Sequence, residues 1–166
     1  MTDNEHSDFR RKIIGERILL MLPLNVVLTG RVRGSINVSE VTVVLEQLRS
    51  RHPLLAVRAE IGSDGAGAFV GSGVPSIPVH VQQRESEDQW LARVEDELRI
   101  SFPIETGPLV RCSVIHSDEV CEIILCGHHT ICDGKSLGYL LRDLLERLAE
   151  PSEEIGCLVL DFCMIN

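Results

Sequence analysis

The strongest constraint on the fold is a run of two strand patterns and one helix pattern in the last third of the chain. Apolar residues dominate Leu109–Ile115 and Val120–Cys126, and the polar turn His116–Glu119 separates them, which predicts an antiparallel hairpin. Leucines three and four residues apart over Lys135–Ala149 predict an amphipathic helix. If Val114 pairs with Cys121, one hairpin face carries Val110, Cys112, Val114, Cys121, Ile123 and Leu125. The chain is therefore expected to fold as a sheet with a helix packed on this face.

The rest of the chain predicts further strands and helices in alternation. In chain order these are a helix over Ile13–Leu22, a strand over Asn25–Arg33, a helix between Asn37 and Pro53, a strand over Leu54–Ile61, a hairpin turn over Gly62–Gly67, strands over Ala68–Gly71 and Val79–Gln82, and a helix after Ser86. Capping-box pairs, Asn37 with Glu40 and Ser86 with Gln89, mark the starts of the second and third helices. Together these elements predict the α/β (α+β) class, with a mixed β-sheet flanked by helices.

The composition is that of one folded domain and excludes several functional classes. The 166 residues are 44% hydrophobic, and a chain of this length can bury a core without metal or disulfide support. The formal net charge of -9 has the wrong sign for binding nucleic acid. The apolar stretches fall short of the ~20 residues of a membrane span, and the N-terminus lacks the pattern of a secretory signal, so we expect a cytoplasmic protein. The six cysteines, mostly within apolar runs, are expected to be reduced thiols.

The segment Cys126–Gly134, between the predicted hairpin and the last helix, contains the candidate chemical groups. A histidine in such a loop can accept a proton from an alcohol, amine or thiol and return it to the leaving group. Neighbouring residues of an extended segment point in opposite directions, so we expect one of His128 and His129 to act as a base and the other to fix the loop. Asp133 can cap the helix, and Gly134 leaves room for a tight turn or a substrate.

A metal site is the alternative for the same segment. Cys126, His128, His129 and Cys132 are all possible zinc ligands. However, Cys126 is expected to end a strand, and no second CxxC or HxxxH pair follows elsewhere in the sequence to complete a tetrahedral site. The prediction is therefore a site without a metal.

Three segments of the sequence resemble a known superfamily. His128–Gly134, HHTICDG, matches the HHxxxDG motif of the chloramphenicol acetyltransferase-like superfamily, which includes the condensation domains of nonribosomal peptide synthetases and polyketide-associated acyltransferases. Arg51–Leu55, RHPLL, is similar to their RHP/RHE-type motif, and Phe102–Arg111 is similar to their F-x-x-x-x-x-P-L-x-R stretch. The resemblance covers about residues 15 to 150 and implies one half of the two-subdomain fold of this superfamily.

The resemblance also implies a reaction and roles for the residues. The reaction is transfer of an acyl group from a thioester, on coenzyme A or on the phosphopantetheine of a carrier protein, to an alcohol or amine. His129 would be the general base, with His128, Asp133 and Gly134 in structural roles, Arg58 as the partner of Asp133, and no permanently bound cofactor or metal. Members of the superfamily have two such halves with a tunnel between them. The alternative function is therefore a non-catalytic module that binds a carrier protein or a second acyltransferase half.

The pattern divides the chain into a polar N-terminal arm over residues 1–12, a subdomain over residues 13–150 and an apolar tail over residues 151–166. Nine of the eleven residues from Ile155 to Ile165 are apolar, so burial of the tail is strongly favoured. We expect the tail to form a strand or extended segment on an apolar surface of its own subunit or of a neighbour. We also expect a homodimer or higher oligomer, because large exposed apolar patches are rare on soluble monomers.

Overall fold

Two β-sheets and four α-helices make up the fold that the computed structural model describes, over residues 9–14, 17–20, 22–63, 65–149 and 156–159. The strands are β1 Arg10–Ile13, β2 Asn25–Arg33, β3 Arg58–Ile61, β4 Gly67–Val70, β5 Val79–Gln83, β6 Val110–His116, β7 Val120–His128 and β8 Gly156–Val159. The helices are α1 Arg17–Leu20, α2 Val38–Arg51, α3 Gln89–Arg99 and α4 Gly134–Leu148, and a 3₁₀ helix, Pro53–Ala56, follows α2.

The larger sheet has the strand order β5-β6-β7-β2-β8, and the smaller sheet has the order β1-β4-β3. β5 runs parallel to β6, whereas the other neighbouring strands in both sheets are antiparallel. The longest ladder joins β2 to β7, from Asn25 opposite His128 to Arg33 opposite Val120. The larger sheet is therefore mixed and flanked by helices, which confirms the predicted α/β (α+β) class.

Each face of the larger sheet is covered by its own apolar cluster. On one face, α2 and α4 pack against alternate residues of β2, β6 and β7, among them Leu28, Val114 and Ile123. On the other face, α3 and the smaller sheet pack against the intervening residues, among them Ile115 and Ile124. Successive side chains of a strand point to opposite faces, so the continuous apolar runs of β6 and β7 supply both clusters.

The predicted hairpin is present as β6 and β7, but its register differs from the expected one. Val114 lies opposite Ile123 instead of Cys121, a shift of two residues. The turn sets this register, because Ser117 N (2.9 Å) and Ser117 Oγ (3.1 Å) both donate to Val120 O. A shift of two keeps every side chain on its face. The six residues expected on one face accordingly all belong to the cluster under α2 and α4.

The N-terminal helix expected over Ile13–Leu22 is shorter than its pattern indicates. α1 comprises Arg17–Leu20, and Ile13 is instead the last residue of β1. The pairing of β1 with β4 places Ile13 opposite Gly67, and the side chain of Ile13 is buried. This tertiary contact outweighs the local helical spacing.

Two further boundaries differ from the sequence prediction. Pro53–Ala56 is a 3₁₀ helix instead of the first part of a strand, because proline fits the first helical position. α3 begins at Gln89, whose Oε1 accepts a hydrogen bond from Glu85 N (2.7 Å). Ser86 is therefore not the N-cap, and that position belongs to Asp88.

β8 is the described part of the apolar tail, and it forms one edge of the larger sheet by antiparallel pairing with β2. The sequence predicts a strand in this segment, and the backbone of Gly156–Val159 confirms it. Residues 1–8 of the N-terminal arm and residues 151–155 and 160–166 of the tail lie outside the described residues. Among the described helices, none combines the length and apolar character that crossing a lipid bilayer requires.

Candidate functional site

His128 and His129 lie where β7 ends and the turn toward α4 begins. Backbone hydrogen bonds hold both residues, since His128 N donates to Leu109 O (2.9 Å) and His129 N donates to Leu24 O (2.8 Å). The ladder between β2 and β7 also places Asn25 opposite His128. We call residues 128–133 the histidine turn. It is attached to the start of β6 on one side and to the start of β2 on the other.

His128 is buried, with 1% of its surface exposed. Its Nδ1 accepts a hydrogen bond from Thr130 N (3.3 Å) and lies 2.9 Å from Thr130 Oγ1. An amide N–H can only donate, so Nδ1 carries no proton and the neutral ring carries its proton on Nε2. Burial lowers the pKa of His128 and outweighs a hydrogen bond with the Leu22 backbone, which acts in the opposite direction. His128 is thus a neutral ring that fixes the turn.

His129 is exposed, and the turn itself orients its ring. Nδ1 of His129 lies 2.9 Å from Cys132 O. A carbonyl oxygen can only accept, so Nδ1 is the donor and, in the neutral ring, Nε2 holds a lone pair. An exposed imidazole in this tautomer can accept a proton at Nε2 from a bound alcohol or amine.

Asp133 is the N-cap of α4, as its position before the helix predicts. Its Oδ1 accepts hydrogen bonds from Ser136 Oγ (2.6 Å) and Ser136 N (2.7 Å), and these bonds lower the pKa of the carboxyl group. Gly134 is the first residue of α4 and lies with His129 in the wall of one cleft. Ser136 therefore fills the place that the sequence prediction gave to an arginine.

The structure does not bring Arg58 to Asp133, so the predicted pairing of these two residues is wrong. The Arg58 guanidinium donates to Glu60 Oε1 (2.7 Å) and to Ser72 O (3.0 Å) beside the smaller sheet. Residues two apart in a strand share a face, so Glu60 is the carboxylate nearest to Arg58 along β3. Glu60 also pairs with Arg10 of β1 (2.9 Å), and because β4 lies between β1 and β3, this charge group extends across the smaller sheet.

A cleft of about 660 Å³ opens beside His129. Four segments form its wall, namely the start of β2, the C-terminal turn of α3, the histidine turn and the first turn of α4. Leu24 and Leu98 give the wall apolar character, and Lys135 adds a cation. The cleft can therefore hold a molecule with an apolar part and a polar part within reach of His129.

A smaller cavity of about 340 Å³ lies between the Arg51–Leu55 segment, the histidine turn and α4. His52 lines it together with Ile131 and Cys132 of the turn, and His52 Nε2 lies 4.0 Å from Asp143 Oδ2 on α4. The Phe102–Arg111 stretch reaches the turn as well, since the rings of Phe102 and His128 are 6.1 Å apart. The fold thus brings together all three segments on which the superfamily resemblance rests.

Cys126 of β7 and Cys132 of the turn are free thiols in the structure. Burial raises the pKa values of Cys126 and Cys132 to about 12, so both stay protonated near neutral pH. Within the part of the chain that the structure describes, no group of three or more His, Cys, Asp or Glu side chains could hold a metal ion.

Sequence reasoning missed the cleft residues Leu24, Asn25 and Leu98. Asn25 and His128 lie about one hundred residues apart along the chain, and only the pairing of β2 with β7 brings them together. The sequence offered one signal, a polar residue at the first position of an apolar strand. That signal does not identify the partner strand.

Comparison with known proteins identifies the family. A family model of the condensation domain matches residues 24–150, and the chain belongs to the condensation-domain family. The sequence is 32% identical over 119 residues to malpinin synthetase of Mortierella alpina and 30% identical over 115 residues to surfactin synthase subunit 1 of Bacillus subtilis (strain 168). Each alignment covers 69% of this chain but only 2% and 3% of the two synthetases. The chain therefore spans a small fraction of the length of these relatives.

Solved structures share the fold. The starter condensation domain of rhizomide synthetase RzmA aligns with a TM-score of 0.71 and 15% sequence identity, over 89% of this chain and 40% of that chain. Polyketide synthase associated protein 5 from Mycobacterium tuberculosis aligns with a TM-score of 0.61 and 22% identity, over 83% of this chain and 32% of that chain. The fold is accordingly that of part of a condensation domain.

Proposed function

We propose that this chain supplies the catalytic base of an acyl transfer reaction and that His129 is the base. The observation that carries the proposal is the hydrogen bond between His129 Nδ1 and Cys132 O. This bond leaves the lone pair on Nε2 of an exposed ring, beside a cleft that can hold a substrate. In the proposed reaction, an acyl group moves from a thioester to an alcohol or amine.

The proposed steps use one proton, and His129 returns it. Nε2 of His129 takes the proton of the acceptor while the acceptor oxygen or nitrogen attacks the carbonyl carbon of the thioester. The tetrahedral intermediate then collapses, the C–S bond breaks, and the sulfur leaves as a thiol with the proton from Nε2. Throughout the cycle, the bond from Nδ1–H to Cys132 O keeps the ring in one orientation.

For the donor we propose an acyl-coenzyme A or the acyl-phosphopantetheine of a carrier protein. A mutant form of the starter condensation domain of rhizomide synthetase RzmA has been solved in complex with C8-CoA. Surfactin synthase and linear gramicidin synthase are among the relatives of this chain. The described thiols are free, which agrees with a reducing compartment, and we propose a cytoplasmic location.

The test is acyl transfer by the full chain from octanoyl-coenzyme A to a primary amine, followed by thiol release and by the mass of the product. His129→Ala should lower the rate about 10²- to 10⁴-fold, which is the usual contribution of a general base. His80→Ala is the matched control, since His80 is an exposed histidine of β5, and it should keep the wild-type rate. A His129→Ala rate within a few-fold of wild type would contradict the proposed role.

The exposure of His129 favours a second candidate function, in which the same face binds a carrier protein or a second acyltransferase half without catalysis. A developing oxyanion is stabilised best where water is excluded, and His129 and Asp133 are both exposed. Binding of an acylated carrier protein, with no acyl transfer above the rate of thioester hydrolysis, would establish this second function. Transfer above that background by the full chain excludes a pure binding module.

A further inference from the structure

Behind the cleft, two side chains from neighbouring strands hold the C-terminal turn of α3. Asn25 Nδ2 donates to Glu97 O and to Ile100 O, both at 2.8 Å. Arg111 Nη2 donates to the same two carbonyl oxygens, at 2.7 Å and 2.8 Å. The last carbonyl groups of a helix have no partners within the helix, so these two side chains supply the missing donors. We call Asn25, Glu97, Ile100 and Arg111 the α3 clamp.

The carboxylate of Glu97 anchors the clamp in the interior. Glu97 is 1% exposed, and it accepts hydrogen bonds from Arg111 Nε, from Arg93 Nη2 (2.6 Å) and from Ser113 Oγ (2.8 Å). Burial alone would raise the pKa of Glu97, but the hydrogen bonds from Arg111 and Ser113 outweigh it and keep the pKa below its ordinary value. The carboxylate of Glu97 therefore stays charged. It bonds Nε of the Arg111 guanidinium, while the backbone carbonyl groups at the end of α3 accept hydrogen bonds from Nη2.

Both donors of the clamp are also linked to His128, Arg111 through the ring of Phe102 and Asn25 through the strand register. The Arg111 guanidinium lies over the ring of Phe102, 4.1 Å from its centre. That ring meets the His128 ring nearly edge-on, at 77° and 6.1 Å between ring centres. Asn25 is paired with His128 in the ladder between β2 and β7. Leu98, in the clamped turn of α3, lies in the wall of the cleft with His129.

We infer that Asn25 and Arg111 are positioning residues, which hold the α3 turn against the sheet and thereby fix the ring of His128 and the geometry of the His129 turn. Neither side chain touches a reacting atom in the proposed acyl transfer. Arg111 acts through Phe102 on His128. The Asn25 side chain acts through the α3 turn, whose Leu98 lies in the wall of the cleft with His129. Arginine is needed at residue 111, because its planar guanidinium stacks on Phe102 while Nε bonds Glu97 and Nη2 bonds the two carbonyls. A lysine has no planar group, and its donors all lie on one nitrogen.

A second buried ion cluster provides a matched control. Glu122 is 1% exposed, and its Oε1 accepts hydrogen bonds from Arg31 Nε (3.0 Å) and Arg84 Nε (3.2 Å). Glu122 lies near the start of β7, whereas His128 is the last residue of that strand. Arg84→Lys therefore makes the same chemical change as Arg111→Lys at a site remote from the histidines.

The test is a long-range ¹H–¹⁵N spectrum of the histidine rings in the full chain, which distinguishes the two tautomers of each ring. The wild-type protein should show His128 protonated on Nε2 and His129 protonated on Nδ1. In Arg111→Lys and in Asn25→Ala, the His129 signals should move to the averaged positions of mixed tautomers. Arg84→Lys should leave the spectrum of both rings unchanged.

The turnover assay gives the second measurement, and this part rests on the proposed function of His129. With octanoyl-coenzyme A, Arg111→Lys and Asn25→Ala should lower kcat roughly tenfold to a hundredfold, as misplacement of a catalytic group does. KM should change less than about twofold in Arg111→Lys, because Arg111 lies outside the wall of the cleft. A wild-type chain without turnover would contradict the proposed function only, because the ring spectra still decide the positioning role.

Wild-type ring spectra in both folded variants would overturn the inference, as would altered spectra in Arg84→Lys. Circular dichroism and thermal melting show which variants fold. If Arg111→Lys does not fold, Asn25→Ala decides, because it removes only an amide at a partly exposed position. A wild-type spectrum of that folded variant then contradicts the positioning role, and mixed tautomers support it.

Discussion

At the scale of single residues, His128 and His129 show how the end of a strand separates two identical side chains. His128 lies on the inner side of β7 and is buried, whereas His129, one residue later, is exposed. Hydrogen bonds fix opposite tautomers in the two rings, with the proton on Nε2 of His128 and on Nδ1 of His129. The neighbouring residues can therefore serve different purposes, one in the turn and one in the cleft.

The lowered pKa of His128 predicts a loss of stability in mildly acidic solution. A group whose folded-state pKa lies below its unfolded value, about 6.5 for histidine, stabilises the fold fully above that pH. As the pH falls below about 6.5, the unfolded chain binds a proton at His128 more readily than the folded chain does. The free energy of unfolding should decline until the folded-state pKa is reached, and thermal melts between about pH 8 and pH 5 measure this decline.

The control for this prediction is His128→Gln, which removes the titrating ring. Its melting temperature should depend less on pH over the same range, although the variant is less stable throughout. The pKa values of Glu97 and Asp133 are held below their ordinary values of 4.5 and 3.8. Protonation of these two carboxyl groups therefore lowers the stability at a more acidic pH than protonation of His128 does. An undiminished slope in His128→Gln would assign the effect to another group.

Gly127 leads to a second prediction at the same scale, because the Cys132 thiol fills the space beside its Cα. A Cβ at residue 127 would overlap Cys132 Sγ, whereas Leu137 Cδ2 would lie at an ordinary 3.6 Å. Gly127→Ala should lower the free energy of unfolding by roughly 1–3 kcal/mol, the usual cost of overpacking. Cys132→Ala removes the overlapping sulfur, so the double variant should lose less than the sum of the single variants. Urea unfolding measures this difference, and strict additivity would be inconsistent with the contact.

At the scale of secondary structure elements, the start of α4 depends on one side chain. Asp133 Oδ1 accepts the Ser136 N–H, which has no partner within the helix. Asp133→Ala should reduce the free energy of unfolding by about 0.5–2 kcal/mol. Asp133→Ser should cause a much smaller reduction, because serine also caps helices. Glu146→Ala on the exposed side of α4 is the control and should change stability by less than about 0.5 kcal/mol. Equal losses in Asp133→Ala and Asp133→Ser would refute the capping role.

The elements that the sequence predicted correctly are those whose pattern is local and long. The apolar spacing of α2 and α4 and the bounds of β2 follow from the sequence because each element buries one continuous set of its own residues. The register of β6 and β7 could not be predicted in this way. A shift of two residues leaves both faces apolar, so the apolar pattern does not distinguish the two registers, whereas the hydrogen bonds of Ser117 accompany the observed one.

The sequence predicts which segment contains the candidate site, but not how the residues around it are arranged in space. His128, His129 and Asp133 are recognised together because they are close in sequence, and the cap role of Asp133 follows from its place before α4. The partner of Asp133 was not predictable from charge alone, because the Arg58 guanidinium binds the carboxylate of Glu60, two residues further along the same strand. The α3 clamp was missed because its members come from β2, α3 and β6, which only the folded sheet brings together.

At the scale of the whole molecule, β8 covers part of the outer edge of β2. The homodimer or higher oligomer expected from the apolar tail stays a prediction, and truncation after Glu154 tests it. Without β8, backbone groups near Arg31 and Arg33 lose their partners, and an open strand edge promotes association. The truncated protein should therefore be less soluble or differ in mass, as measured by light scattering after size-exclusion chromatography. Monodisperse monomers of both proteins would contradict both expectations.

The ladder between β2 and β7 has a consequence for how the protein is made. Its two strands lie about one hundred residues apart along the chain, and closing so long a loop costs entropy before any contact is gained. During synthesis from the N-terminus, Leu24 and Asn25 leave the ribosome long before His129. A growing polypeptide can therefore contain the sequences of β2 and α2 before it contains His129. The cleft beside His129 needs β2 and β7 together, so it can form only after the last residues of β7 have been synthesised.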